Sequence, residues 1–280
     1  MYQAIFVDID GTLRDNQRNL SQKTIDTVKK VTDNGTLVIL CSGRPRKYTE
    51  EISRQCFASK YIITSNGGNI YDYQKNKNLY VNIMNKEAII KLYELANQVN
   101  ARFIMNVGKG RVVSEVRHPD QEIQLEENIK DFVYQNDVVQ CTIADYDFDK
   151  IKNLIPEIEK VEHVEIKNRH KSLINPNYPK NNSIYCDIAN MESNKGNGVE
   201  KLCQILNLDL KNVIAIGDDF NDISMFEKVG YSVAVDNAHE NVKKRVNEIT
   251  LSNEDNGVAV FLDKMLSLHQ LVSFKNYRPY

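Results

Sequence analysis

The chain has 280 residues, of which 41% are hydrophobic and 26% are charged, and its formal net charge is −2. This composition supports one large folded domain or two ordinary ones and argues against an intrinsically disordered chain. With so little net charge and no sustained basic run, neither a nucleic acid nor an anionic membrane is favoured as a partner. The sequence shows no signal peptide and no apolar stretch of about 20 residues. Its five scattered cysteines lack CxxC spacing, which indicates reduced thiols in a cytoplasmic protein rather than structural zinc.

Apolar strands and amphipathic helices alternate in the first third of the chain. Strands are predicted at residues 4–9, 36–41 and 61–64, and helices at 21–34 and after Pro45. The residue that opens the first helix is a serine, a preferred N-cap, and a proline suits the start of the second. This part of the sequence therefore predicts strand–helix units of a parallel sheet.

The middle of the chain departs from this alternation. We predict a helix at residues 86–99, a hairpin of strands at 102–107 and 111–116, a strand at 138–143, a helix at 148–159, and strands near 161–166 and 183–188. Residues 175–182 are rich in proline and asparagine and are predicted to form a loop. We interpret this block as a separate α+β module.

The alternation resumes in the last third. Helices are predicted at residues 197–206, 222–228, 238–246 and 257–268, and strands at 212–216, 231–235 and 249–251. Together these elements predict an α/β fold, with a doubly wound, Rossmann-like parallel sheet as a core formed by residues 1–83 and 188–280. An α+β domain of about a hundred residues, at 84–187, is inserted into this core.

Two aspartates follow the first predicted strand. Asp8 and Asp10 precede Gly11, which marks a turn, so the carboxylates lie where open α/β sheets bind their ligands. Two ionised carboxylates this close require a cation or a shared proton. The pair suits a nucleophile, an acid/base partner and a Mg²⁺ ion.

Polar residues also follow the second predicted strand. Ser42, Gly43 and Arg44 precede a helix that begins near Pro45, where a hydroxyl and backbone N–H groups can hold phosphate oxygens. Ser42 is alternatively an ordinary N-cap. Arg44 either contacts a substrate or is a solvated residue of the first helical turn.

The last third adds a lysine and a run of acids. Lys195 lies at a helix start, where a positive charge is mildly unfavourable against the helix dipole, and this indicates an anion nearby. Asp218, Asp219 and Asp222 follow the strand predicted at 212–216, and Mg²⁺ prefers such oxygen ligands. Asp219 and Asp222 are alternatively helix N-terminal acids that the dipole favours.

Four separated motifs resemble, in order, those of the haloacid dehalogenase superfamily, within its Cof-type subfamily of capped sugar-phosphate phosphatases. The motifs are Asp8-x-Asp10-Gly11-Thr12, Ser42-Gly43-Arg44-Pro45, Lys195-Gly196 and Gly217-Asp218-Asp219-Phe220-Asn221-Asp222. The resemblance covers essentially the whole chain. It implies that the inserted domain at 84–187 is a type-two cap that closes over the site.

The resemblance also implies a role for each motif residue. Asp8 would attack phosphorus and form an aspartyl-phosphate, Asp10 would protonate the leaving oxygen and then activate water, and Lys195 would supply a fixed positive charge. Asp10 needs a raised pKa for the first of its tasks, and neighbouring carboxylates can raise it. Mg²⁺ ligation is implied for Asp8, the backbone carbonyl of Asp10, and Asp218. Substrate or phosphate binding is implied for Ser42, Gly43, Arg44, Asn66 and Asn221, with Asp219 and Asp222 in support, the latter orienting Lys195 or the waters around the metal.

The chain is therefore predicted to be a Mg²⁺-dependent phosphatase of a small phosphorylated metabolite, by resemblance a sugar phosphate. A phosphomutase is the nearest alternative, but the predicted cap shows no evident cluster of Arg and Lys for a second phosphate. A non-catalytic sugar-phosphate-binding protein would have no need of a nucleophile such as Asp8. A transport ATPase is disfavoured by the length, by the lack of membrane spans and by Asp10, where those relatives carry threonine.

Overall fold

The computed structural model describes residues 2–108, 110–120, 122–171 and 184–275. The loop predicted at 175–182 and residues 276–280 lie outside the described residues. In the described part, the strands form two sheets, one of eight strands and one of six. None of the helices in that part is both long enough and apolar enough to span a membrane.

The helices and strands follow one another along the chain with these bounds. The strands are β1 (Ala4–Val7), β2 (Leu37–Cys41), β3 (Tyr61–Thr64), β4 (Asn69–Asp72), β5 (Lys77–Val81), β6 (Arg102–Val107), β7 (Gly110–Val113), β8 (Glu122–Gln124), β9 (Val138–Asp145), β10 (Val164–Lys171), β11 (Ile184–Asn190), β12 (Val213–Gly217), β13 (Tyr231–Ala234) and β14 (Glu248–Ile249). The helices are α1 (Gln22–Asp33), α2 (Arg46–Gln55), α3 (Lys86–Gln98), α4 (Ile129–Gln135), α5 (Phe148–Ile158), α6 (Lys195–Leu206), α7 (Ile223–Phe226), α8 (Glu240–Lys243) and α9 (Gly257–Lys275).

The eight-stranded sheet forms the core domain. Its strands run in the order β14-β13-β12-β1-β2-β3-β4-β5. The strands from β14 to β3 are parallel, and β4 and β5 add an antiparallel edge. Because β1 lies between β12 and β2, the carboxyl ends of these three strands lie side by side, and the first, second and fourth motifs follow them directly.

Helices cover both faces of this sheet because successive residues of a strand point to opposite sides. In β1, Ile5 and Val7 pack with residues of α1, α2 and α9, whereas Ala4 and Phe6 pack with residues of α6, α7 and α8. All four side chains are fully buried. The predicted doubly wound α/β core is confirmed.

The six-stranded sheet belongs to the inserted domain, which runs from α3 to β11. Its order is β10-β11-β9-β6-β7-β8, antiparallel except for the pair β7 and β8. Helices α3, α4 and α5 cover one face, where Phe103, Met105 and Cys141 are buried. Asn106 and Gln140 are cross-strand partners on the opposite face, which is turned toward the core domain.

Several elements differ from the sequence-based prediction. The hairpin of β4 and β5 is not predicted, because its tip depends on Asp72, whose carboxylate accepts the backbone N–H groups two and three residues later. The helix predicted at 238–246 is only the single turn of α8, which His239 caps through its ring nitrogen. Strand β8 and helix α4 in the inserted domain are likewise unpredicted.

The predicted limits of the inserted domain, 84 and 187, remain predictions. Helix α3 begins shortly after the first of them, and β11 continues through the second to Asn190. The strand predicted near 161–166 begins at Val164, because the residues before it close the turn after α5, where the Val161 N–H donates to a carbonyl of that helix.

Candidate active site

Residues of all four motifs meet at one edge of the core sheet. Asp8 follows β1, Ser42 follows β2 and Asp218 follows β12. Lys195 is the first residue of α6, and Asn194 caps this helix by accepting a backbone N–H of its first turn. The parallel order of the strands places the three strand ends together, as expected for the ligand-binding edge of an open α/β sheet.

Lys195 joins two of the predicted acids. Its side chain is 1% exposed, and Nζ donates to Asp8 Oδ1 at 2.5 Å and to Asp222 Oδ1 at 2.6 Å. Burial lowers the pKa of Lys195, but the two carboxylates outweigh burial and raise this pKa well above its ordinary value. The lysine reaches both acids because α6 lies very close to α7: a Cβ at Gly196 would collide with the backbone of Ser224.

Asp222 fixes the geometry of the fourth motif. While Oδ1 accepts from Lys195, Oδ2 accepts the backbone N–H groups of Asp218 and Asp219 at 2.9 and 3.0 Å. Of the two tasks considered for Asp222, the structure shows contact with Lys195. The carboxylate of Asp219 is not one of the grouped acids found among the described residues; it accepts the N–H of Phe220 at 2.8 Å as an N-terminal cap.

Asp8, Asp218 and Asp222 form an acidic cluster. Each offers a carboxylate oxygen, and these oxygens lie within 4.8 Å of one another. Burial raises the pKa of Asp8 well above its ordinary value, and the charges of Asp222 and Asp218 add to this in spite of Lys195. Burial and the charge of Asp222 raise the pKa of Asp218 to about 7. One lysine therefore does not neutralise three carboxylates, and the cluster has the charge and the hard oxygen donors that suit a divalent cation.

Asp8 and Asp218 each keep one carboxylate oxygen open to a ligand or a substrate. Lys195 occupies Oδ1 of Asp8, and the Thr12 hydroxyl donates to Oδ1 of Asp218 at 2.6 Å. Within the described ranges, Oδ2 of each of these two acids receives no hydrogen bond. The Asp218 carboxylate also approaches the backbone of Gly11 so closely that a Cβ there would collide with it, and the φ of +88° at Gly11 independently favours glycine.

Asp10 is held by a guanidinium rather than by other acids. Arg44 Nε donates to Asp10 Oδ2 at 2.9 Å, and the Tyr48 hydroxyl donates to Oδ1 at 3.3 Å. Burial raises the pKa of Asp10, but Arg44, followed by Arg18 and Arg14, outweighs burial and leaves this pKa below its ordinary value. The expectation of a raised pKa is therefore wrong for this arrangement of the site, because the charge in contact with Asp10 is a cation.

The structure does not support the alternative interpretations of Ser42 as an ordinary N-cap and of Arg44 as a solvated residue. Ser42 is 2% exposed, and its Oγ accepts the backbone N–H of Arg44 at 3.1 Å. It is not the N-cap of α2, because that helix begins at Arg46 and is preceded by Pro45. The Arg44 side chain is only 28% exposed and is paired with Asp10, so it is not simply solvated.

Asn66 and Asn221 connect the loops around the site. Asn66 has a φ of 52°, in the left-handed region that asparagine tolerates well. Its Oδ1 accepts from Asn221 Nδ2 at 3.1 Å, and its Nδ2 donates to Gln140 Oε1 at 3.0 Å. The Asn66 amide also lies against Gly43, where a Cβ would come within 3.0 Å of Nδ2. These predicted binding residues therefore form one hydrogen-bonded rim.

Two residues of the inserted domain at this rim are not predicted. Gln140 Nε2 donates to the carbonyl of Gly43 at 3.3 Å, and Asn106 Nδ2 donates to Ser65 Oγ at 3.3 Å. Both side chains are 2% exposed although they are polar. The signal was available in the sequence, since each is a polar residue within an apolar strand and so marks a second buried face.

Comparisons with known proteins bear on this site. A model of the haloacid dehalogenase-like hydrolase family matches residues 5–262. The 5-amino-6-(5-phospho-D-ribitylamino)uracil phosphatase YwtE of Bacillus subtilis is 25% identical, over 95% of this chain and 98% of its own. A haloacid dehalogenase-like hydrolase from Bacteroides thetaiotaomicron has a TM-score of 0.79 at 24% identity, covering 95% of this chain and 100% of that one. A sugar phosphatase of subclass IIB of the same superfamily has a TM-score of 0.74 at 18% identity, covering 94% and 98%. The chain therefore belongs to the haloacid dehalogenase-like hydrolase family, and the prediction of an enzyme that hydrolyses phosphoric monoesters is confirmed at the level of that family.

Proposed function

We propose that this hydrolase is a Mg²⁺-dependent phosphatase that acts on a small phosphorylated metabolite, with a sugar phosphate as the preferred substrate. The proposed reaction passes through an aspartyl-phosphate on Asp8. The observation that carries the proposal is the bridge from Lys195 to Asp8 and Asp222, which holds one oxygen of Asp8 and leaves the other for attack. The substrate of YwtE, a phosphorylated ribityl compound, supports a phosphorylated sugar-like molecule as the class of substrate.

Mg²⁺ fits the acidic cluster. We propose that the ion would be held by Oδ2 of Asp218, by the backbone carbonyl of Asp10 and by Oδ1 of Asp8, the oxygen that also accepts from Lys195, which leaves Oδ2 of Asp8 for attack. These are hard oxygen donors, and the carboxylates carry more charge than Lys195 balances. When bound, the ion neutralises this excess charge and shields the negative phosphoryl group from the carboxylates. Its charge also favours the ionised form of Asp8 that the reaction needs.

Asp8 and Asp10 divide the chemistry. In the proposed first step, Oδ2 of Asp8 attacks phosphorus while Lys195 holds Oδ1 and stabilises the charge that develops on the phosphoryl oxygens. The bond from phosphorus to the leaving oxygen breaks, and Asp10 gives its proton to that oxygen. In the second step, the ionised Asp10 takes a proton from the water that attacks the aspartyl-phosphate, which restores both residues.

The pairing of Arg44 with Asp10 ties substrate binding to this proton transfer. Arg44 favours the ionised carboxylate, which is the form needed in the second step. An anionic substrate that draws Arg44 away would leave burial as the main influence, and burial raises the pKa of Asp10 toward the acid form needed first. Ser42, Asn66 and Asn221 are proposed to hold the phosphoryl group at the rim.

The inserted domain is proposed to act as the cap. Gln140 and Asn106 connect it to the loops after β2 and β3, so the cap covers the site and contributes to the choice of substrate. We further propose that the protein is cytoplasmic. The five cysteines are all free and buried, which is typical of proteins in a reducing compartment.

A phosphate-release screen tests the proposed function. The purified protein is incubated with a panel of phosphorylated metabolites, with Mg²⁺ and after exhaustive chelation. We expect free phosphate only with Mg²⁺, and most from sugar phosphates. Isomerised sugar phosphate without release would indicate a phosphomutase instead, and tight binding without either product would indicate a binding protein.

A further inference from the structure

A cap arginine faces the candidate active site. Arg111 lies on β7 and is the cross-strand partner of Asn106, which in turn is the partner of Gln140. Directly opposed residues of neighbouring strands place their side chains on the same face of a sheet. Because Asn106 and Gln140 both bond to core loops beside the site, Arg111 belongs to the same face of the cap, directed at the core.

One donor of the Arg111 guanidinium lacks the partner that a shielded donor normally has. Its Nε is shielded from solvent and has no hydrogen-bond partner, and within the described ranges the side chain forms no ion pair. Two acids lie near it. Asp187 accepts from the hydroxyl of Thr142 at 2.7 Å, and Glu122, the cross-strand partner of Arg111, pairs with Arg102 through Oε2, while its buried Oε1 has no hydrogen-bond partner and forms no ion pair with Arg111 in the described part of the chain. A shielded donor without a partner is unfavourable and calls for an explanation.

A second arginine with a shielded, unpartnered donor lies in the core domain. Arg14 donates from one terminal nitrogen to the Tyr48 hydroxyl, but its Nε is also shielded and unpartnered in the described part of the chain. Its guanidinium lies 5.7 Å from the centre of the Tyr48 ring, and that of Arg44 lies 5.1 Å from the same centre. Tyr48 in turn donates to Asp10, so both guanidinium groups lie near the proposed acid/base residue.

The positive charge of Arg44 disfavours the charged form of Arg111. Burial, and next the like charge of Arg44, lower the pKa of the Arg111 guanidinium. Two guanidinium groups facing one another across a site are stabilised when an anion lies between them. Since the transferred phosphoryl group is proposed to lie at Asp8 and Lys195, an anion held by these guanidinium groups would belong to the other half of the substrate.

We propose that Arg111, together with Arg44 and Arg14, binds a second anionic oxygen group on the leaving-group half of the substrate. This inference rests on the proposed phosphatase function and narrows its substrate class to phosphate esters that carry a carboxylate or a second phosphate. The sequence shows no basic cluster within the cap because only one member of this set lies there. The other members lie on the core, at Arg14 and Arg44.

Matched pairs of substrates test the inference. The ratio of kcat/KM is measured for 3-phosphoglycerate over glycerol 3-phosphate and for 6-phosphogluconate over glucitol 6-phosphate, pairs in which a carboxylate replaces a CH₂OH group. Fructose 1,6-bisphosphate over fructose 6-phosphate tests a second phosphate. We expect the anionic member of at least one pair to be preferred by about tenfold or more, as for a charge-assisted hydrogen bond.

Variants of the cap arginine identify the cause of the preference. Arg111→Gln should lower this ratio by about tenfold, and Arg111→Lys should restore part of it, because lysine keeps the charge but not the planar fork. Arg117→Gln is the matched control, since Arg117 is also a cap arginine but pairs with Glu115, and it should keep the native ratio.

The outcomes separate the two proposals. A native enzyme that releases phosphate and prefers the neutral member of every pair would overturn the inference and leave the phosphatase intact, whether or not the variants fold. An unchanged ratio in folded Arg111→Gln would overturn it as well. Failure to release phosphate from any compound in the screen would instead contradict the proposed function itself.

Discussion

Lys195 is a buried cation that depends on its carboxylate partners. A charged group removed from water is unfavourable unless it is paired, and Asp8 and Asp222 supply that pairing. The same contacts decide which oxygen of Asp8 is free. The geometry that makes the lysine tolerable in the interior is thus the geometry that orients the proposed nucleophile.

The first prediction concerns this nucleophile. Asp8→Asn keeps the shape of the side chain but removes the charged oxygen, so phosphate release should fall by on the order of 10³-fold or more. Release is measured in a coupled assay, and circular dichroism checks that the fold is kept. Asp33→Asn, on the exposed surface of α1, is the control and should behave like the native protein. Near-normal turnover in a folded Asp8→Asn protein would contradict the assignment.

The second prediction concerns the pH dependence of metal binding. The pKa of Asp218 is raised to about 7 in the metal-free protein, so below that pH a cation must displace a proton from its ligand. The apparent affinity for Mg²⁺ should fall by about tenfold or more for each pH unit below 7, since Asp8, whose pKa is also raised, binds the metal in its ionised form as well. Calorimetric titration from about pH 5 to about pH 8 measures this affinity. An affinity that does not change over this range would contradict the prediction.

The same raised pKa has a consequence for stability. A carboxyl whose pKa is higher in the folded state than in the unfolded state stabilises the fold at low pH. For Asp218 this contribution is lost as the pH rises from the ordinary value of 3.8 through about 7. Bound metal should restore the lost stability, because it binds the ionised form.

The sequence predicts residues of the site better than their contacts. Asp8, Lys195 and Asp222 follow from the motifs, and the structure brings them within hydrogen-bond distance. The pairing of Asp10 with Arg44 does not follow, because the two residues lie on different loops and the direction of a long side chain depends on tertiary packing. The sequence therefore could not predict the direction in which the pKa of Asp10 shifts.

At the scale of elements, the contact between β9 and the loops of the core decides how the cap meets the site. Gln140 is the pivotal side chain, since it bonds both to the Gly43 carbonyl and to Asn66. Gly43 lies after β2 and Asn66 after β3, so one cap residue holds two site loops in place. A cap that opens must break both bonds together.

The third prediction follows from this contact. Gln140→Ala removes both hydrogen bonds, each worth about 1 kcal/mol, and should favour the open cap. We expect KM to rise by about tenfold with a smaller change in kcat. Gln124→Ala is the control, because Gln124 bonds only to carbonyls of the cap itself. Steady-state kinetics of both variants are compared, and an unchanged KM in Gln140→Ala would show that this contact does not govern closure.

Elements with strong periodicity were predicted, and those fixed by local side chains were not. The buried strand β1 and the helix α1, capped by Ser21, follow from the apolar pattern and the cap residue. The β4–β5 hairpin depends on the carboxylate of Asp72, and α8 stops after one turn although its sequence is compatible with a longer helix. The hydrophobic pattern therefore predicts that a helix or strand exists, whereas individual side-chain contacts determine where it ends.

At the scale of the whole molecule, the two sheets contribute different kinds of residues to the site. The core sheet presents the acids and Lys195 at strand ends and a helix start, where the backbone is held by the sheet. The cap sheet presents side chains from the middle of its strands, such as Asn106, Arg111 and Gln140. Chemistry and substrate choice are therefore proposed to reside in separate units.

The fourth prediction tests this division. Replacing the cap of this protein with that of YwtE, with junctions after Ile83 and after Asn190 where β11 ends, should change the order of preference among phosphorylated substrates while phosphate release persists. Relative kcat/KM values across a common panel measure the order for both parent proteins and the chimera. A folded, active chimera that keeps the native order would show that the core selects the substrate.

The two faces of the cap sheet have different evolutionary freedom. The apolar residues that hold the cap together are concentrated on the face covered by α3, α4 and α5. Substitutions on the other face, at positions such as Arg111, remove few packing contacts and should leave the cap folded. Mutations on this face can therefore change which substrate binds without unfolding the cap. Relatives that share this architecture can then differ in substrate specificity while the acids of the core stay the same.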